Sequence, residues 1–337
     1  MRPEHRCERC LLPAGVCGVQ LDERGWCGVC RETPPSDQLA ASIDEIKRQI
    51  DAVIAARRGA SPYECVVAFS GGKDSSFTLK VLVEDYQLRC IAVTVDNGFM
   101  ASGALENCRA VCGGLGVDHV LFTPQRGFMD GMYRASALNE SMHAPAAIQR
   151  ASSICSACIN LINSHVLQRA LELGAPLVAG GYLGGQLPRD ACTMTVRPDT
   201  KLRSAMVERY ARAFGAQARR YFAVVPRAGE EGRDIAVINP MLGLCVSERQ
   251  IVDALAPLGW RRPADAGLTS TNCRLNDLGV YLHHRRHGFH PYALEIAEQL
   301  RYGLLTREEA AEKLDAIPPR ERVAELAQRI GLSRDDF

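Results

Sequence analysis

The sequence has no excess of either charge, since 40 Lys and Arg residues face 39 Asp and Glu residues in a chain of 337. A dedicated nucleic-acid binder is usually more basic, so the overall charge gives no reason to expect RNA or DNA, although local basic patches are compatible with it. No apolar run approaches the roughly 20 residues that a membrane-spanning helix needs. The first residues are charged ones and cysteines instead of a signal peptide. We therefore expect a cytoplasmic protein with no membrane partner.

Cysteine, by contrast, is abundant, with 14 residues. In a reducing compartment, cysteines in C-x-x-C pairs indicate metal or redox ligands, whereas disulfides are typical of small secreted domains. Cys7 with Cys10 and Cys27 with Cys30 predict a zinc ribbon, in which four thiolates bind one Zn²⁺ as a tetrahedron. So short a segment has too few apolar residues to fold without that metal, whose binding contributes on the order of 10 kcal/mol. Four thiols without a ligand are the alternative.

The central motif is the stretch 70–76, which follows an apolar run at 65–69 and opens a helical one. This order predicts a strand, a phosphate-binding loop and a helix. Adjacent glycines let the backbone turn tightly and approach an anion, at which the first N–H groups of the helix point. The loop is shorter than a Walker loop, so it suits a pyrophosphate better than the phosphate cradle of a P-loop NTPase. The candidate nucleotide-binding residues are Ser70, Gly71, Gly72, Lys73, Asp74, Ser75 and Ser76.

A run of Ser-Gly-Gly-x-Asp-Ser at a strand-to-helix junction resembles the signature of the PP-loop ATP pyrophosphatases. The resemblance implies an enzyme that splits ATP into AMP and pyrophosphate while it adenylylates a carbonyl or amide oxygen of its substrate. It also implies that ATP binds with Mg²⁺ at this loop and that Lys73 and Asp74 are catalytic, because the metal and the lysine offset the charge of the leaving pyrophosphate. A Gly-Gly turn without function is the alternative.

The alternation of strand and helix patterns predicts an α/β fold with a doubly wound parallel sheet. Ligands of such a sheet lie outside the carboxyl ends of its strands, so Val95, Asp96 and Asn97, at the end of a buried strand, are candidates for holding adenosine. A turn that only closes the strand is equally compatible. The predicted strands are 65–69, 90–95, 119–122, 176–182 and 235–238, and the predicted helices include 39–58, 77–85, 104–115, 160–173 and 321–330.

A second group of cysteines begins with Cys155 and Cys158, at the head of a helical stretch that leads into a strand ending in glycines. This order resembles the core of the tRNA-thiolating branch of the PP-loop enzymes. In that branch the cysteine pair and a third, distant cysteine hold an iron-sulfur cluster. The resemblance therefore implies a [4Fe-4S] cluster on Cys155, Cys158 and Cys273, and catalytic roles for these three residues.

The same resemblance implies a nucleotide contact at the glycines Gly180 and Gly181 that end the strand. The branch usually continues as Gly-His-x-x-Asp. Here Tyr182 follows the glycines, and the nearest acidic residue is Asp190. Downstream, the basic stretch between 190 and 233 predicts a lid, a face for an anionic substrate or, most commonly, a solvated helix face.

The end of the chain resembles a different PP-loop group, the N-acetyl sugar amidotransferases, which also begin with a double C-x-x-C. The similar residues are Arg301-x-Gly303 and the capping box that starts at Thr306. This resemblance implies ammonia from a glutaminase partner. Four clustered histidines favour one neutral imidazole against the substrate over a second zinc site, because their rings point in several directions on a helix; they are His283, His284, His287 and His290.

The predicted division is a zinc ribbon at 1–35, a linker helix at 36–60, a PP-loop domain at 61–260 and a helical C-terminal region at 261–337 that contributes Cys273, with Pro34, Pro35 and Ser36 as a linker. The favoured function is ATP-dependent activation of a substrate oxygen, followed by sulfur transfer from the iron-sulfur cluster to give a thiocarbonyl. The alternative is amidation by ammonia to an amidine. Buried free cysteines, a persulfide on Cys155 or Cys158, and an RNA-binding module with a degenerate nucleotide site are further alternatives.

The expected partners are ATP, a small molecule or a tRNA as substrate, and a sulfur donor. In the amidotransferase alternative, a glutaminase subunit replaces the sulfur donor. The last helix is either a structural cap or the contact of a homodimer.

Overall fold

A computed structural model describes residues 5–33, 36–59, 61–198, 200–226, 232–267 and 269–337. Within them the strands are β1 Cys65–Ala68, β2 Cys90–Val95, β3 Asp118–Phe122, β4 Leu177–Ala179, β5 Thr193–Val196 and β6 Ile235–Ile238. The α-helices are α1 Gly28–Glu32, α2 Ser36–Ala55, α3 Lys73–Glu84, α4 Ala104–Leu115, α5 Arg126–Leu138, α6 Pro145–Ile148, α7 Ser153–Leu173, α8 Lys201–Phe214, α9 Ala218–Phe222, α10 Glu248–Leu255, α11 Leu275–His287, α12 Ala293–Arg301, α13 Arg307–Asp315 and α14 Arg320–Arg329.

The strands form one sheet in the order β3-β2-β1-β4-β6-β5, and every neighbouring pair is parallel except β5 with β6. The chain builds the sheet outwards from β1 in both directions, so a crevice opens at the carboxyl ends of β1 and β4, where ligands of such sheets bind. The predicted α/β fold with a doubly wound parallel sheet is confirmed. No helix in the described part of the chain combines the length and apolar character needed to cross a membrane.

Both faces of the sheet are covered, because successive residues of a strand point to opposite sides. Val66 of β1 packs with Val93 of β2 and Leu167 of α7 on one face. Its neighbour Val67 packs with Leu79 of α3 on the other. This burial on both sides explains why β1, β2 and β6 are short apolar runs without alternation.

Helix α7 differs from its prediction because it begins at Ser153 instead of 160. The hydroxyl of Ser152 accepts a hydrogen bond from the amide of Cys155 (3.2 Å), which caps the helix about two turns earlier and places both cysteines inside its first turns. Helix α3 also begins earlier than predicted, at Lys73 instead of 77, directly after the glycine pair.

Other departures from the predicted elements lie outside the nucleotide loop. The antiparallel strand β5 was not predicted, and the basic stretch that contains it is otherwise largely helical, in α8 and α9. Of the predicted linker, Ser36 lies in α2, whereas Pro34 and Pro35 lie outside the described residues.

We predict that Gly71→Ala destabilises the fold by more than about 2 kcal/mol, because Gly71 has a positive φ of 71° and a β-carbon there would collide with the carbonyl oxygen of Ala104. The control is Gly113→Ala, in α4, where a β-carbon meets nothing within 4 Å; it should stabilise the helix by about 0.5–1 kcal/mol. Urea unfolding of both variants measures the difference. A Gly71→Ala variant as stable as the wild type would contradict the loop geometry described here.

Candidate nucleotide site and two cysteine clusters

In the loop between β1 and α3, two backbone amides donate hydrogen bonds to side-chain hydroxyl oxygens. The amide of Ser70 donates to Ser75 Oγ (3.2 Å), and the amide of Lys73 donates to Thr271 Oγ1 (3.0 Å). Hydroxyl oxygens therefore occupy positions that anion oxygens take at a helix N-terminus. The loop has the geometry expected of a phosphate site, and its second wall comes from residue 271, far along the chain.

A cavity of about 270 Å³ opens directly over this loop. Most of the predicted nucleotide-binding residues line it, namely Ser70, Gly72, Lys73, Asp74, Ser75, Val95, Asn97, Gly180 and Gly181. Three predicted residues lie outside the lining. The carbonyl of Gly71 turns away to accept from Trp260 Nε1 (2.9 Å), Ser76 is fully buried, and Asp96 Oδ1 accepts from the amide of Gly98 (2.8 Å).

Charged side chains of both signs line the phosphate end of the cavity. Lys73 Nζ lies 2.8 Å from Asp74 Oδ1. Burial opposes ionisation of Glu248, yet the ammonium groups of Lys73 and Lys313 hold its pKa below the ordinary value. The ammonium groups of Lys73 and Lys313 and the carboxylates of Asp74 and Glu248 thus form a cluster of opposite charges at this end of the cavity. A metal-nucleotide complex would bind against this cluster.

One face of α12 forms the opposite wall. Tyr292, Glu295, Ile296 and Gln299 line the cavity at the helical spacing i, i+3, i+4 and i+7. Glu295 accepts hydrogen bonds from the side-chain amides of Gln186 (2.8 Å) and Gln299 (3.0 Å). Burial raises the pKa of Glu295 to about 7, and the Asp74 carboxylate adds to this while Lys73 opposes it.

Sequence reasoning missed this wall. The four residues do recur at helical spacing in the sequence. Because a mixture of Tyr, Glu, Ile and Gln is also typical of an ordinary half-buried helix, the spacing alone does not indicate a binding site.

The three cysteines Cys155, Cys158 and Cys273 lie together behind the cavity. Asn97, which lines the cavity, donates to Cys273 Sγ (3.2 Å), and the hydroxyl of Tyr133 donates to Cys158 Sγ (3.5 Å) and to the carbonyl of Asn97 (3.2 Å). Asn276 donates to Cys155 Sγ at 3.7 Å. Asn97 thus links Cys273 directly, and Cys158 through Tyr133, to the cavity.

A short antiparallel contact brings Cys273 to this place. Residues 272–274 run beside 99–101, with the amide of Ala101 donating to Asn272 O (2.8 Å) and that of Arg274 to Phe99 O (2.9 Å). Since residues 99–101 lie just beyond the end of β2 at Val95, a cysteine from the C-terminal region reaches the carboxyl edge of the sheet.

The three thiols have the donor chemistry of a cluster site. Burial raises the pKa of Cys158 to about 11 and that of Cys273 to about 12, so thiolates form here only beside a strong positive charge such as a metal. Their neighbours Asn97, Tyr133 and Asn276 all donate hydrogen bonds, as suits sulfur atoms bound to iron.

The N-terminal cysteines form a separate and tighter cluster. The ligand atoms of Cys7, Cys10, Cys27 and Cys30 lie within 4.8 Å of one another, and all four residues are fully buried. No other group of metal-ligating side chains in the described residues is this compact. Four converging cysteine sulfurs fit one tetrahedral Zn²⁺. Cys17, outside the spacing pattern, is exposed and lies outside the cluster.

The four clustered histidines do not belong to the lining of the cavity as far as it is described. His283 and His290 are buried, and burial lowers the pKa of each to about 3, so both are neutral. His287 Nε2 lies 2.9 Å from Glu140 Oε2. The histidines therefore pack the C-terminal region, and an imidazole against the substrate stays a prediction without support from the cavity.

The sheet order and the Ser-Gly-Gly-x-Asp-Ser loop after its central strand define an α/β protein with a short glycine loop at a strand-to-helix junction, which agrees with the resemblance to PP-loop ATP pyrophosphatases drawn from the sequence. No family model matches the chain. An uncharacterized protein of Methanocaldococcus jannaschii, MJ1599, is 27% identical over 292 residues, which cover 86% of this chain and 87% of that protein. The argininosuccinate synthase of Roseobacter denitrificans is 27% identical over 150 residues, or 42% of this chain and 34% of the synthase.

Among solved structures, the chain is similar to the U34-tRNA thiolase NcsA of Methanococcus maripaludis with its [4Fe-4S] cluster. The superposition covers 98% of both chains at 15% sequence identity with a TM-score of 0.36. A TM-score this low carries no weight for the activity of the present chain.

Glu295→Gln should change how stability depends on pH. The pKa of Glu295 is raised from 4.5 to about 7, so the wild type loses stability as the pH rises between these values and the variant does not. We expect the stability of the variant relative to the wild type to improve by roughly 1–3 kcal/mol between about pH 5 and about pH 8. Thermal unfolding across this range, with Glu312→Gln on the exposed side of α13 as control, measures the change. A difference that is constant with pH would contradict the described environment of Glu295.

Proposed function

We propose that this chain is an AMP-forming ATP pyrophosphatase that activates a carbonyl or amide oxygen of its substrate and then replaces that oxygen with sulfur. The observation that carries the proposal is the position of Cys155, Cys158 and Cys273. Cys273 comes from a distant part of the sequence and lies beside the Cys155–Cys158 pair, and Asn97 joins Cys273 to the cavity.

In the first half-reaction the loop holds the phosphates. Amides of residues 70–73 and the hydroxyls of Ser70 and Ser75 bind phosphate oxygens, while Lys73 offsets the charge that develops on the leaving pyrophosphate. Mg²⁺, held by phosphate oxygens and by Asp74, would supply the remaining positive charge. The substrate oxygen attacks the α-phosphorus, pyrophosphate leaves, and the substrate carbon becomes activated by an AMP leaving group.

In the second half-reaction hydrosulfide attacks that carbon, the bond from the carbon to the AMP oxygen breaks so that AMP leaves, and loss of the proton from sulfur gives the thiocarbonyl without any change of oxidation state. A [4Fe-4S] cluster on the three cysteines would leave one iron without a protein ligand, and when bound it supplies the sulfur-carrying position. Asn97, Tyr133 and Asn276 orient the cysteine sulfurs, and Tyr292 joins the cysteine side to the cavity because it contacts Cys155 and lines the cavity.

Amidation by ammonia remains the competing function. It shares the first half-reaction, but it gives no reason for three cysteines to converge beside the cavity, since ammonia needs no sulfur ligands. The convergence therefore favours sulfur transfer.

The test is iron content and colour after anaerobic purification and reconstitution with iron and sulfide. We expect a brown wild-type protein with roughly four irons per chain. Cys273→Ala should lose most of the iron and the absorbance. The matched control, Cys245→Ala, removes an exposed cysteine outside the cavity and should keep both.

Activity separates the two nucleophiles. With ATP, Mg²⁺ and unfractionated tRNA as the first substrate probe, release of AMP and pyrophosphate and incorporation of labelled sulfide are measured for the wild type and Cys273→Ala. Sulfide incorporation that is lost in the variant supports thiolation. A colourless wild type that forms AMP with ammonium but not with sulfide would reject thiolation in favour of amidation.

A further inference from the structure

We propose that Arg301 is a positioning residue that ties the four-cysteine metal site to the nucleotide pocket, so that a filled metal site is required for tight ATP binding. This inference rests on the proposed function for the identity of the ligand in the cavity. It assigns a role to the Arg301-x-Gly303 segment, which the catalytic steps leave unused.

Arg301 lies at the last position of α12, with its guanidinium beside the sulfur of Cys10 and close to Cys30 and Glu298. Its Nη1 is buried and has no hydrogen-bond partner among the described residues. A Zn²⁺ with four thiolates carries a net charge of about −2, and a buried charge needs a partner of opposite sign. Arg301 supplies this partner from outside the ribbon.

Helix α12 has the ribbon on one side and the cavity on the other. Ala293, Ile296 and Ala297 pack in one apolar cluster with Cys7, Cys10, Cys27 and Cys30. Tyr292, Glu295 and Gln299 face the cavity, and Ile296 belongs to both surfaces. A shift of α12 therefore moves one wall of the pocket.

Other contacts fix the position of α12 along its length. Arg189 Nε lies 2.5 Å from Glu298 Oε1, and the backbone at Gly185 approaches Glu295 so closely that a β-carbon there would collide with the helix. Arg301 holds the end of the helix that faces the ribbon. Without the metal, nothing holds the four sulfur atoms together beside the guanidinium of Arg301, so this end of the helix loses its anchor on the ribbon.

The test uses Arg301→Met, which keeps the apolar stem but removes the charge, and Arg301→Lys, which restores a charge. Arg307→Ala is the matched control, because Arg307 also joins the C-terminal helices to the ribbon, donating to Glu8 O (2.6 Å) at the exposed surface. Zinc content, zinc release to a chelator and hydrogen exchange of the amides at 292–301 are measured for each protein and for the metal-stripped wild type.

ATP affinity is read from the fluorescence of Trp260, whose Nε1 donates to the loop carbonyl of Gly71. The chain has two tryptophans, so a Trp26→Phe background leaves Trp260 as the reporter. We expect zinc-loaded Arg301→Met to show faster exchange in α12, faster zinc release and an ATP affinity weakened by about tenfold, within the usual range of coupling between sites. Arg301→Lys should be intermediate, and Arg307→Ala should resemble the wild type.

Two results would overturn the inference. One is a zinc-loaded Arg301→Met protein with wild-type exchange and wild-type ATP affinity. The other is a metal-stripped wild type whose α12 amides exchange no faster than those of the loaded protein, a measurement that holds even if Arg301→Met fails to fold. A zinc-loaded wild type that exchanges normally but binds no ATP would instead reject the proposed function.

Discussion

The contact between residues 99–101 and 272–274 is the interaction on which the site depends. It is only a short antiparallel pairing, yet it joins the end of β2 to a turn that the chain reaches more than 150 residues later. Through it Thr271 meets the phosphate loop, Asn272 approaches Gly72, and Cys273 meets Asn97. The C-terminal region is therefore part of the candidate nucleotide pocket, and the sheet with its loops does not close that pocket alone.

The second organising element is α12, whose two faces serve two sites. Its apolar side completes the core of the cysteine ribbon, and its polar side supplies Tyr292, Glu295 and Gln299 to the cavity. A nine-residue helix of this kind is marginal in isolation, so its position is set by what it packs against. The ribbon, which is small and poor in apolar residues, therefore helps to position one wall of the pocket, although none of its described residues lines that pocket.

The sequence predicted well those features that are encoded by neighbouring residues. The strands β1, β2 and β6, the phosphate loop and the compact set of four cysteines are all local patterns, and each lies where its pattern indicated. The prediction of Cys273 beside Cys155 and Cys158 came from resemblance, because no local signal links residues so far apart. Glu295 and Tyr292 were missed for the same reason: their helical spacing is ordinary, and their importance comes only from the helix facing the loop. Strand β5 was missed because Thr-Met-Thr-Val is half exposed and gains its pairing from β6.

The hydrogen bond from the Lys73 amide to Thr271 Oγ1 has a consequence for the order of events. A phosphate bound at this loop would compete with that hydroxyl for the same amide, and the turn at 271, two residues before Cys273, would then lose one of its contacts. Occupation of the loop at 70–73 would in this way change the backbone that positions Cys273.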